Sequence, residues 1–401
     1  MCGYFEMEWF AKERENRSFF ELFFLWNICV MLYKIIKKVK NYRGKVVKKN
    51  KSLINFLGVF IMLFSFCFQG NVQADVNTVQ PGKIKSGNVT VWEVENVAKV
   101  LADVERLNLN TVNVPIQVDI PNVNSANMVI NQAQKKQAII LIRELLKRNI
   151  QVILEPFPFI QQGNIGETEW NPSNINDFFW NWKTVVLQDI LNSITSKYNI
   201  YGLKIASNFV NMEYAEGYWN DTINFVRQQY KGNVLYQMNW WLTASWDPSF
   251  EAKFNEKINR PYLKKVDIVS IDSWFEVSGK RNPSYEEVKQ GLFATTVYNR
   301  GQNVVQQLET LHKTTGKPVY FGGFNVPARE LGLQNPWNPD VTNVFSKDVQ
   351  LNGWRAYRDV LEPKPYFKGF SIWFIGSNDS NHSYQIHSKE AEAVINGWYR
   401  K

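Results

Sequence analysis

The sequence predicts an α/β fold, a (β/α)8 TIM barrel, and three observations carry that prediction. Short apolar runs alternate with stretches of helical period from about residue 82 to the end of the chain. The runs are near-continuous in apolar character, as expected of parallel strands buried on both faces. Counting a weak first one, eight such runs fall within about 320 residues, the size of one barrel domain. A doubly wound open sheet is the competitor, but it calls for a Gly-rich phosphate turn after an early strand, and the sequence has none.

The elements follow in order. The first strand lies somewhere in Gly82 to Val91, and Glu93 to Leu107 places Val94, Val97, Leu101 and Val104 at helical spacing. Val112 to Ile116 is the second strand and leads into the loop VDIPNVNSANM. Gln132 to Arg148 is an amphipathic helix, and Ile150 to Leu154 is a strand running out into Glu155 and Pro156. Phe178 to Tyr198 reads as helix, Leu203 to Ser207 as strand, Tyr218 to Tyr230 as helix and Val234 to Met238 as strand. Phe250 to Leu263 (helix) and Val266 to Ile271 (strand) come next. Ser284 to His312 keeps a helical period behind Pro283, which acts as a start signal. Val319 to Phe321 (strand), Asp348 to Leu361 (helix), Gly369 to Phe374 (strand) and Glu390 to Tyr399 (helix) complete the series.

Ahead of the barrel stands a leader. Residues 34 to 51 carry nine Lys or Arg and no acid, residues 53 to 68 are apolar, and Val72-Gln73-Ala74 has small residues where a signal peptidase needs them. The expectation is a secretory segment over 31 to 74, cleaved after Ala74 or kept as a membrane tether, with the barrel over 75 to 401. Residues 1 to 30 are acidic and mixed, fit no export signal, and read as an over-long start ahead of Met31. All three cysteines lie in the leader, so the barrel is expected to fold without disulfides. With the leader removed, 34 basic and 32 acidic residues remain, and the excess that would suggest nucleic acid disappears.

In a barrel of this type the site is built at the C-terminal ends of the strands. Those exits are Glu155, Asn208, Asn239 with Trp240, Asp272 with Trp274, Gly323 with Asn325, and Trp373. Indole faces stack on sugar rings, and Asn and Asp side chains bind hydroxyls. Glu155 and Asp272 are the candidate catalytic carboxylates. The competing readings are a structural ion pair for Glu155 and a loop cap for Asp272. The substrate-binding candidates are Asn208, Asn239, Trp240, Trp274, Asn325 and Trp373. The three histidines lack metal-ligand spacing, and no cofactor or metal is expected.

Over most of residues 82 to 400 the chain resembles the clan A glycoside hydrolases, most closely family 113. The resemblance rests on KIASNF with YWNDTINFVRQQYKG, and on VLYQMNWW, IVSIDSWFEVSGKRNPSYEEV, GKPVYFGGFN and GFSIWF, taken in that order. It implies β-mannanase-type chemistry with two glutamates, an acid/base after barrel strand four and a nucleophile after barrel strand seven. Those two positions fall on Asn208 and Gly323, neither of which can do acid-base or nucleophilic work. The sequence therefore predicts an exported, monomeric barrel that recognises a polysaccharide without the family's retaining mechanism. The alternative is an active glycosidase using carboxylates drawn from Glu155, Glu213, Asp272 and Glu276. A membrane-tethered structural role is the third reading.

Overall fold

The computed structural model describes residues 79–400; the expected leader and the residues before it lie outside the described residues. Among the described residues nine strands are present, in chain order: β1 (Ile84–Asn88), β2 (Thr111–Ile120), β3 (Val129–Ile130), β4 (Gln151–Ile160), β5 (Gly202–Ser207), β6 (Asn233–Asn239), β7 (Ile268–Asp272), β8 (Val319–Phe324) and β9 (Phe367–Ile372). All but β3 run parallel and close into an eight-stranded barrel, pairing in sequence around the ring, and β1 meets both β2 and β9 to seal it. The short β3 runs antiparallel to the end of β2.

The helices are α1 (Val97–Arg106), α2 (Gln132–Leu146), α3 (Ile175–Asn181), α4 (Glu216–Gln229), α5 (Pro248–Ile258), α6 (Tyr285–Phe293), α7 (Val304–Thr315), α8 (Lys347–Leu361) and α9 (Lys389–Gly397). Their starts are chemically marked. Asn131, Asn303 and Ser284 accept backbone N–H bonds at the first turns of α2, α7 and α6, and Glu287 completes a capping box with Ser284.

Inside the barrel, alternation with period two sorts the side chains into layers. A bottom layer of Ile84, Ile153, Leu235, Ile268 and Tyr320 is apolar. The next residue on the same face of most of these strands is polar: Ser86, Glu155, Gln237 and Ser270 are all buried. These groups satisfy one another. Ser86 Oγ lies 2.5 Å from the Tyr320 hydroxyl, Ser270 donates to Gln237 at 3.0 Å, and Asn113 donates to Asn88 at 2.6 Å. The polar layer is the base of the candidate site, and alternation along β7 carries the series Ile268, Ser270, Asp272 up to the rim.

Three expectations change. β2 and β4 continue past their apolar cores and stay paired in register from Thr111–Gln151 to Ile120–Ile160, so Glu155 is mid-strand and part of VDIPNVNSANM is strand. The single helix expected over Ser284 to His312 is two, because Ala294 turns extended and the chain loops back through Gly301 at φ +66°. After α3 the expected helix continues through wider π turns, Trp182–Leu187 and Leu191–Thr195, on either side of α-helical Gln188–Ile190.

Candidate active site

The C-terminal ends of the strands surround a cleft of about 310 Å³. Its polar lining includes Glu155, Glu167, Asn208, Gln237, Asp272 and His382, and its aromatic lining Phe157, Trp274, Trp337, Trp373, Phe374 and Tyr384.

Asp272 is the last residue of β7. Ile271 pairs with Phe321 but Asp272 pairs with Gly323, a one-residue shift in β8 that brings Gly323 alongside the carboxylate. A Cβ built on Gly323 would lie 2.1 Å from Asp272 Oδ1. The Asp272 carboxylate thus occupies the volume that a side chain at 323 would fill, and glycine there is a packing requirement.

Asn208 follows β5 in the left-handed region, φ +57°, a conformation that Asn tolerates better than most residues. Its Nδ2 donates to Glu167 Oε1 at 2.9 Å and to Asp272 Oδ2 at 3.0 Å. The two accepting oxygens are therefore no farther apart than the sum of those bonds, 5.9 Å. Glu167 arrives on the loop after β4, and that loop is pinned. Asn211 donates to the carbonyls of Thr168 and Trp170, while buried Trp170 donates to Ser125 O at 2.9 Å and packs edge-on against Phe178, Trp182 and Phe209.

Glu155, 8% exposed, is engaged on both oxygens. Lys204 Nζ donates to one at 2.7 Å; Ser207 Oγ and Gln237 Nε2 donate to the other at 2.8 and 3.3 Å. This is the ion-pair arrangement that competed with a catalytic role for Glu155.

Asp272 and Glu167 differ from it in having no cation of their own. Burial pushes the Asp272 carboxyl up to about 7, and the Glu167 charge adds to the rise. Burial also raises Glu167, with the Asn208 hydrogen bond pulling the other way and the Glu155 charge adding to the rise. Two like charges this close disfavour joint ionisation, so the first proton lost makes the second harder to lose. His382 Nδ1 accepts from the Tyr384 N–H at 3.2 Å, and burial lowers its pKa, which favours a neutral imidazole in the cleft wall.

The structure gathers Asn208, Asp272, Trp274, Trp373 and Glu155 into one cleft. It sets the other binding candidates elsewhere. Asn239 and Trp240 lie beyond the cleft lining, Trp240 packing against the core. Asn325 is buried, donates to the carbonyls of Trp373 and Tyr384, and accepts from Val326 N–H, so its amide is used up in holding the β9 exit. Of the alternative carboxylates, Glu213 is paired with Lys257 and Glu276 with Arg300 at 2.8 Å. Sequence reasoning missed Glu167, Trp337, His382 and Tyr384 as site residues, because they sit in polar loops at no strand end. Among the described residues no cluster of His, Cys, Asp and Glu could hold a metal ion.

Residues 85–392 match the model of Glycoside Hydrolase Family 113. No curated protein sequence matches the chain. Among solved structures, a GH113 β-1,4-mannanase complex aligns with a TM-score of 0.62 at 16% identity over 79% of this chain and 98% of its own. The GH113 β-mannanase AaManA from Alicyclobacillus acidocaldarius in complex with ManMIm aligns with a TM-score of 0.62 at 16% identity, covering 80% of this chain and 99% of that one. A glycoside hydrolase family 5 mannosidase from Rhizomucor miehei reaches 0.53 at 11% identity over 79% and 92%. At such identities the structural likeness is one of fold.

Proposed function

The chain belongs to glycoside hydrolase family 113, and from that premise we propose that its cleft binds a polysaccharide and hydrolyses a glycosidic bond with a relocated carboxyl pair, Asp272 and Glu167. The observation that carries the reading is spatial. At each position where the family resemblance expects a glutamate, a carboxylate from a neighbouring segment stands in: Asp272 over Gly323, and Glu167 at the tip of Asn208.

The bridged oxygens, at most 5.9 Å apart, fit the spacing of a retaining mechanism, about 5–5.5 Å between carboxyls, better than the inverting range of about 6.5–9.5 Å. One shared proton gives the pair both forms it needs. The protonated member delivers its proton to the leaving glycosidic oxygen as the C1–O bond breaks, and the ionised member attacks C1 to form a glycosyl ester. Water, deprotonated by the first carboxylate, then cleaves that ester and returns the pair to its starting state. Trp337 and Trp373 supply faces for the sugar rings.

A second reading, polysaccharide binding without cleavage, is favoured by one feature. The Asn208 amide stands between the two acids with both of its hydrogens engaged, where a scissile oxygen has to enter. Cleavage requires this amide to yield one of those bonds to substrate; binding alone does not. The basic and apolar leader supports export of the barrel to meet an extracellular polymer.

The deciding experiment is reducing-end release from β-1,4-mannan, xylan, β-glucan and cell-wall polysaccharides. The proposal expects release by the wild type from at least one polymer, lost in Asp272→Asn and in Glu167→Gln. Retention of the wild type on a polymer without any release would instead establish the binding reading.

A further inference from the structure

Among the described residues four tryptophans are largely exposed: Trp92, Trp180, Trp246 and Trp337. Trp92, Trp246 and Trp337 lie on loops that follow β1, β6 and β8, at the rim that carries the cleft. Trp180 does not. It sits on α3, 65% exposed, between residues that the same stretch buries, Phe178, Phe179 and Trp182. No packing requirement of the barrel explains an indole on the outer face of that helix, and exposure of so large an apolar ring is unfavourable unless something covers it.

Trp180 borders a second cavity of about 380 Å³ on the helical flank, with Asn176, Asp177, Lys183, Tyr218 and Asp221. The tyrosine is held in place. Tyr218, 38% exposed, stacks on buried Phe179 with ring centroids 4.8 Å apart and planes 11° from parallel, and its hydroxyl is fixed by Asn176. The polar part is mixed and nearly neutral, because Lys183 pairs with Asp221 and only Asp177 is left as an unmatched acid. Such a lining offers no cationic field for phosphate or anionic lipid. Aromatic platforms flanked by amide, hydroxyl and carboxylate groups suit an uncharged polyhydroxylated ring, the same combination that lines the central cleft.

We infer that this groove is a second carbohydrate-binding site, outside the barrel mouth, that holds a strand of the same class of neutral polysaccharide. The inference rests on the reading of the cleft as a polysaccharide site. α3 and α4 are the helices that follow the segments carrying Glu167 and Asn208, so the groove lies on the flank directly below that part of the rim. A polymer held there raises the local concentration of chain at the cleft, as any second attachment point does.

The test is affinity electrophoresis of the full-length chain through gels containing soluble mannan, glucomannan, xylan or β-glucan, with short oligosaccharide hydrolysis measured in parallel. Trp180→Ala is expected to weaken retardation by the retaining polymer about tenfold while leaving thermal unfolding and oligosaccharide turnover unchanged. Trp180→Phe, which keeps an aromatic face, should hold most of the wild-type retardation, and Lys183→Ala should reduce it. Equal retardation of wild type and Trp180→Ala overturns the site, and so does wild-type mobility that no polymer slows. A chain that releases no reducing ends yet loses retardation on Trp180→Ala refutes the proposed hydrolysis and leaves the groove standing.

Discussion

Replacing Asp272 by asparagine separates what the carboxylate does for chemistry from what it costs the fold. In the native state its carboxyl is pushed up to about 7, whereas the unfolded chain releases the same proton near 3.8. Between those values the native state holds a proton that the unfolded state has lost, so this group makes stability fall as pH rises, and above about 7 the full penalty is present. The difference between 3.8 and about 7 corresponds to a ceiling of roughly 4 kcal/mol. The cleft is open to water on one side, and screening brings the expected effect down to about 2 kcal/mol. The Asp272→Asn side chain keeps an oxygen for the Asn208 amide but carries no charge. The assay is urea unfolding of both proteins at pH 5 and pH 8. The variant should exceed the wild type by somewhat under 1 kcal/mol at pH 5, where more than a third of the range from 3.8 to about 7 has been crossed, and by about 2 kcal/mol at pH 8, a rise of roughly 4 °C in Tm for a domain of this size. A variant no more stable than wild type at pH 8, or a difference independent of pH, would refute the picture of a half-buried acid with no cation of its own.

Other outcomes follow from the same geometry. Gly323→Ala, which sets a methyl 2.1 Å from Asp272 Oδ1, should displace the carboxylate, destabilise by about 1–3 kcal/mol and abolish hydrolysis; adding Asp272→Gly should recover stability but not activity. Glu155→Gln strands Lys204 in the barrel interior and should cost about 3–5 kcal/mol in chemical denaturation, most of it recovered in Glu155→Gln/Lys204→Met. Loss of activity in Glu155→Gln therefore does not by itself make Glu155 catalytic. Hydrolysis, which needs the shared proton, should fall as pH rises through about 7, and a rate that climbs from pH 7 to 9 would contradict it. Asn325→Ala should lower Tm through loss of its bonds to the Trp373 and Tyr384 carbonyls.

The barrel was legible because its strands are buried on both faces and its helices keep period and caps. KIASNF, IVSID and GFSIWF each announce a strand without reference to any neighbour. Boundaries were less so: the Ser284 to His312 stretch keeps its period through a loop, and the β2–β4 extension becomes visible only when Val118 and Pro158 are seen paired. The lining of the candidate cleft was half legible. Asp272 and Asn208 stand at strand ends, where topology gathers side chains, and the resemblance made the missing glutamates conspicuous. Glu167 left no such trace, since its position depends on the anchoring of Trp170 by Ser125 and Asn211, contacts far apart in sequence. Asn325 misled for the converse reason. A strand-end amide looks the same in sequence whether it faces a cleft or two backbone carbonyls.

The most direct measurement of the central claim is the anomeric configuration of the sugar first released by the wild type, followed by proton NMR during hydrolysis, together with azide rescue of Asp272→Asn and Glu167→Gln. A carboxyl pair bridged by one amide predicts retained configuration, with azide restoring turnover in one variant as an inverted glycosyl azide and in the other as a retained one. Inverted sugar from the wild type, or undiminished turnover in either variant without azide, would contradict it.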